Sequence, residues 1–172
     1  MRRALRAVYL ASAALGALAF VGIEALVLYQ LGGQFLPYIP RSADEFAGYC
    51  MAASAFLALA YTLEANEHIR VTLVSERVGP VARRAMDRIA VAIALALVAF
   101  LAWHVTAMAW QTWQFDERSG GLIALPLWIP QAAMAVGALV FLVAVTERVF
   151  RVWRGGSVDL PMQEGGEHRA DR

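Results

Sequence analysis

Residues 89–115 read IAVAIALALVAFLAWHVTAMAWQTWQF, twenty-seven residues without an Asp, Glu, Lys or Arg. A helix needs about 20 apolar residues to cross about 30 Å of hydrocarbon. Backbone groups in lipid must pair within their own segment unless a closed barrel forms. The Ala and Leu content favours helix, and no alternating strand pattern accompanies it. Working outward, residues 119–146 are charge-free over twenty-eight positions and residues 46–63 over eighteen. Residues 7–40 carry one charge, Glu24. Each run holds one span and none is long enough for two, so the predicted spans are 8–30, 46–64, 89–113 and 124–147. The first run is too long for the apolar region of a cleaved signal peptide and is read as a span.

Composition agrees. Of 172 residues, 60% are hydrophobic and 17% charged, and the mean hydropathy is +0.54. A soluble domain is nearer half apolar and a quarter charged. The net charge of +1 says little; where the charges sit says more. All fifteen basic residues are arginine. Thirteen of them fall before span one, between spans two and three, or after span four, and only Arg41 and Arg118 fall on the other side. That bias places both termini in the cytoplasm. Tyr29, Tyr38, Tyr49, Trp110, Trp113 and Trp128 cluster at the predicted outer ends, while Tyr9, Tyr61 and Trp153 mark the inner face. The expected fold is an all-α integral membrane protein with four transmembrane helices, N-in and C-in. Its membrane domain covers residues 1–154, and the polar, Gly- and Glu-rich segment 155–172 is expected to be a disordered cytoplasmic tail.

The outer connection, residues 31–45, holds Gly32, Gly33, Pro37 and Pro40, which forbid a continuous helix and suggest a short ordered turn. In the inner connection, residues 64–88, Ile69, Leu73, Val74 and Val78 recur at near-helical spacing against Arg70, Glu76 and Arg77. That pattern suits either a short amphipathic surface helix ended by Gly79-Pro80 or a solvated extension of spans two and three.

Soluble-enzyme constellations are missing, so no catalytic residue is expected. Gly32-Gly33 and Gly120-Gly121 lack the surroundings of a phosphate-binding loop. The arginines are explained by topology and do not point to nucleic acid. The histidines are His68, His104 and His168, of which one lies in a span, so a bis-histidine haem would lack its second ligand. No metal or cofactor is expected. The lone Cys50 cannot form an internal disulfide.

Glu24 and His104 are ionisable residues at membrane depth, where such groups are costly and usually face protein or water. They read either as a proton or cation site or as a packing hydrogen bond within or between subunits. Glu24 lies about 24 Å from the inner end of span one and His104 about 22 Å along span three, at 1.5 Å per residue. Gln131, near the outer start of span four, falls at a similar depth. The three are expected to form an internal hydrogen-bonded layer, or Glu24 instead faces a partner or the headgroups. Small-residue pairs, Ala13 with Ala17 and Ala133 with Gly137, offer close helix contacts.

From Tyr61 onward the sequence resembles the small permease subunit of the tripartite ATP-independent periplasmic (TRAP) transporters, the DctQ-like family. Asn66-Glu67-His68-Ile69-Arg70-Val71 resembles that family's HIxV element after span two. Arg83-Arg84 with Asp87 and Arg88 leads into span three. Ala124-Leu125-Pro126-Leu127-Trp128-Ile129-Pro130, followed by Gly137, resembles its IPxW opening of span four. Asn66-Glu67 departs from the arginine or glycine that many members carry before the histidine. Length, span number and inside termini match across the chain.

The resemblance implies a scaffold subunit of the bacterial inner membrane. Its partners would be a large TRAP permease, which holds the solute and sodium sites, and a periplasmic solute-binding protein that delivers an organic acid. His68 and Arg70 would then organise the inner connection, with Arg70 able to reach Glu67, Glu64 or membrane lipid phosphate. Trp128, between Pro126 and Pro130, would anchor the outer start of span four or touch the permease. The rival reading is a small four-helix, proton-coupled multidrug exporter using Glu24. Against it stand the length of the chain, its charged inner connection, and a glutamate placed toward the outer end of its span.

Overall fold

The computed structural model describes residues 2–33, 42–65, 80–121 and 123–154. Four helices account for most of them: α1 (Arg2–Gly32), α2 (Ala43–Glu64), α3 (Pro80–Gln114) and α4 (Trp128–Trp153). All four are long and apolar enough to cross a membrane. At the arginine-rich end α1, α3 and α4 outrun the predicted spans, because the polar turns flanking those apolar runs are helical too, while α2 ends at Glu64 as expected. Pro80 opens α3, where its missing N–H costs nothing, so residues 80–88 extend span three. The segment considered for a surface helix, 66–79, lies outside the described residues, and His68 and Arg70 lie there with it.

At the opposite end the boundaries follow local chemistry. Asp44 and Glu45 fill the first turn of α2, where negative charge suits the helix dipole. α3 closes on a left-handed Asp116, φ 46°. The Asp116 N–H donates to the Trp113 carbonyl at 3.4 Å, and the Glu117 N–H donates to the Thr112 carbonyl at 3.1 Å. These bonds satisfy carbonyls that the helix end would leave open. Span four was expected from residue 124, but α4 begins at Trp128. Residues before a proline are pushed toward extended backbone. Accordingly the stretch around Pro126 forms an isolated antiparallel bridge with Arg118 rather than a first helical turn.

In space the helices follow the order α1, α2, α4, α3, with only a slight touch between α1 and α4. This is a row, with α2 and α4 central and α1 and α3 on the flanks. Its core is made mostly of Ala and Val residues. Ala60 and Ala138 are fully buried, and among the described residues no large side chain is. Lipid tails are as apolar as leucine, so close backbone packing drives membrane helix association.

Two glycines permit the closest approaches of one helix to the backbone of another. A Cβ on Gly137 would lie 2.6 Å from the Phe56 carbonyl oxygen and 2.8 Å from the Leu57 nitrogen, both α2 backbone. One on Gly16 would sit 3.2 Å from the Ser54 carbonyl oxygen. Gly137 thus makes the contact expected of it. On α1 the contact belongs to Ser12 and Gly16, one position before the expected Ala13 and Ala17. Ser12 and Gly16 are buried while Ala17 is exposed. Only glycine admits α2 so closely, and the Ser12 hydroxyl is satisfied there by donating to the Leu57 carbonyl at 2.6 Å.

The contact of α3 is narrower. Val91, Val98, Ala102, Val105 and Thr112 form its buried stripe at near-heptad spacing. Val91 packs with Val149 and Val152 of α4. Ile93, Leu97, Phe100 and Trp103 are exposed on the rest of the helix.

Candidate functional site

Polar side chains gather at the two ends of the row and pin its helices together. At the arginine-rich end, Tyr9 of α1 is buried against Ala60 of α2 and Ala144 of α4. Its hydroxyl donates to Glu147 Oε2 at 3.3 Å. Arg151, one turn on from Glu147, completes an ion pair at 3.4 Å. Arg148 is 7% exposed and donates to the Leu63 carbonyl at 2.8 Å. That carbonyl is among the last of α2, where the regular helical pattern of hydrogen bonds gives out, so Arg148 caps one helix from another. Glu64 joins these residues in lining a small cleft. The hydroxyls of Thr62 and Thr146 donate to carbonyls of their own helices, the usual way a hydroxyl is satisfied in a helix.

At the opposite end, the connection between α3 and α4 is clasped to the start of α2. Ser42, left-handed at φ 58°, does not cap its own helix; its Oγ instead accepts the Ile123 N–H at 3.2 Å. Glu45 accepts from the Tyr49 hydroxyl at 2.6 Å and presses on Gly121, where a side chain would collide with its carboxylate. Ser119 ties the connection to itself, donating to the Ile123 carbonyl and accepting the Leu125 N–H. Leu127 N–H donates to the Glu117 carbonyl at 3.0 Å, next to Trp128. Trp128 itself is 38% exposed in the first turn of α4, and Pro130 is buried there.

The expected inner layer of Glu24, His104 and Gln131 does not form. Glu24 is on α1 and His104 on α3, the two flanks of the row, and both side chains are exposed. Equal depth was correct arithmetic, but the spatial order of the helices separates them. His104 Nδ1 is 3.0 Å from the carbonyl of Phe100 on its own helix, and the two rings lie 4.0 Å apart. Gln131 is half-buried on α4, and its Oε1 is buried with no hydrogen-bond partner among the described residues. Glu24 likewise has no polar partner among them.

Among the described residues no group of three His, Cys, Asp or Glu side chains could hold a metal ion. The residues that sequence reasoning missed as tertiary contacts are Tyr9, Ser12, Glu147 and Arg148. Tyr9 read as an interface aromatic and Arg148 as a topology charge. The one sequence signal was Glu147-Arg148 falling within a turn of the charge-free end of span four.

The structure is thus a polytopic membrane protein in which the interhelical polar contacts among the described residues gather mainly at the helix ends. The chain belongs to the family of tripartite ATP-independent periplasmic transporters, DctQ component, which it matches over residues 23–155. That match runs from the second half of α1 through the end of α4. No curated protein matches the chain.

Proposed function

We propose that this chain is the small scaffold subunit of a transporter that imports an organic acid. It would work with a large permease subunit holding the solute and sodium sites, and with a periplasmic solute-binding protein. The match to the DctQ component over residues 23–155 carries this reading. The polar pattern supports it: Tyr9, Glu147, Arg148 and Arg151 satisfy each other and a helix end. A coupled solute site usually needs broken helices and polar groups near the membrane midplane. The family supports a place in the bacterial inner membrane, and the arginine bias supports both termini in the cytoplasm. His68 and Arg70 organise the cytoplasmic connection, and Trp128 marks the periplasmic start of α4, where an indole suits the interface.

Reconstitution into liposomes tests this. Sodium-driven uptake of the organic acid should require this subunit, the permease and the binding protein together. Uptake by this subunit with binding protein alone would overturn the scaffold role. A purified homodimer that binds cations unaided would favour the exporter built on Glu24.

A further inference from the structure

α1 and α4 meet at one end and part toward the other. Tyr9 of α1 bonds to Glu147 of α4. On α1, Phe20 and Val27 stand about three and about five turns beyond Tyr9, on the same face at 3.6 residues per turn. On α4, which runs the opposite way, Val136 and Ile129 stand about three and about five turns before Glu147, again on the same face. The faces that touch at Tyr9 are therefore the faces that carry these four residues. Yet Tyr9 is 2% exposed, while Phe20 is 58%, Val136 52%, Val27 40% and Ile129 44% exposed. The helices splay, and an apolar wedge opens between them in the half of the membrane away from the arginines.

Glu24 stands on the strip beside Phe20 and Val27, exposed and without a polar partner among the described residues. It lies about 22 Å along α1 from Tyr9 and about 7 Å short of Tyr29, at 1.5 Å per residue. A carboxyl group at that depth is costly unless it meets protein or water. Acyl chains could fill the wedge but offer the carboxyl no donor. A second copy packed on this face about a two-fold axis would bring like surfaces together, and so set Glu24 toward Glu24. The outer flank of α3 is also apolar and exposed, but its ionisable group, His104, already has a backbone partner.

We infer that a transmembrane helix of the large permease, carrying a hydrogen-bond donor at the depth of Glu24, seats in the wedge between α1 and α4. This rests on the subunit reading above. The donor is an arginine, lysine, hydroxyl or amide group, and it meets the Glu24 carboxyl once the surrounding side chains have excluded lipid.

The test is photo-crosslinking in membranes that hold the whole transporter. A benzophenone amino acid replaces Phe20 or Val27 in the wedge, and Leu18 or Trp103 as controls facing elsewhere. Adducts with the permease should be at least several-fold more abundant from Phe20 and Val27 than from the controls. Adducts arising mainly from Leu18 or Trp103, or from Phe20 only to lipid or a second copy, would overturn the wedge assignment while leaving the subunit reading intact. Failure of the two chains to co-purify at all would instead overturn the subunit reading, and the wedge with it. Glu24→Gln, which still accepts a hydrogen bond, should keep most of the co-purified complex, and Glu24→Leu should lose it several-fold. Equal recovery of both variants would show that the carboxyl needs no donor.

Discussion

α2 and α3 are both apolar helices long enough to cross a membrane, and the fold uses them in opposite ways. α3 has the more apolar window of the two and α2 the least apolar of the four helices. Yet α2 packs along both sides, against α1 and α4, whereas α3 packs chiefly on α4. Hydrophobicity therefore does not decide which helix takes two neighbours here. In water the most apolar helix would take the centre. In lipid the apolar side chain gains little by leaving the acyl chains, and the centre goes to the helix whose backbone can be approached. α2 earns its place through Ser54, Phe56, Leu57 and Ala60, against which Ser12, Gly16 and Gly137 can close.

Substitution at Gly137 tests that contrast most severely. Gly137→Ala places a methyl group against the Phe56 and Leu57 backbone, which cannot rotate away as a side chain would. Overpacking of this kind costs about 1–3 kcal/mol. Leu97→Ala, on the exposed flank of α3, should stay within about 0.5 kcal/mol of the parent. Unfolding titrations in detergent micelles measure both. Equal stability of the two variants would remove the distinction between a packed and a lipid-facing helix.

Arg148→Met sharpens the same contrast at the arginine-rich end. It keeps the aliphatic stem that packs between α2 and α4 but withdraws the donor from the Leu63 carbonyl. A hydrogen bond to a charged group contributes about 1.5–3 kcal/mol, and water near the helix end should hold the loss toward the lower figure. Faster hydrogen exchange confined to the last turn of α2 is the expected signature. An unchanged exchange pattern would mean that α2 is held there by packing alone.

Tyr9→Phe is the smallest change. It removes one hydroxyl bonded to Glu147 and preserves the ring between Ala60 and Ala144. Hydrogen bonds between membrane helices average about 0.6 kcal/mol, so the same unfolding titration should register a shift of about that size. A loss comparable to that of Gly137→Ala would show that the Tyr9 hydroxyl secures α1 to α4 as firmly as the glycine contact secures α4 to α2.

How much of this was legible beforehand depended on the kind of question. The number of spans could be read because an uncharged run of lipid-crossing length has few alternatives. Helix ends were less legible: Arg2 and Trp153 lie beyond the apolar runs, and only the extended stretch before Pro126 delayed α4. The contact at Gly137 could be guessed from a small-residue pair. The matching contact on α1 was misplaced by one residue, because Ala13 and Ala17 have the same spacing as Ser12 and Gly16. Glu24, His104 and Gln131 shared a depth, and depth carries no information about azimuth or about which helices are neighbours.

The sequence by itself determined that this chain lives in a membrane as four helices, with arginines concentrated at one end, and its short motifs resembled the family it belongs to. Those properties follow from runs of residues whose transfer into lipid is decided locally. Only the tertiary structure decided that the row runs α1, α2, α4, α3, that Tyr9 reaches Glu147 across 138 positions, and that Glu24 faces out of the fold. In hydrocarbon no helix face is driven inward by its apolarity, so neighbours are chosen by close backbone fit and a few interhelical hydrogen bonds, and these exist only once the helices have met.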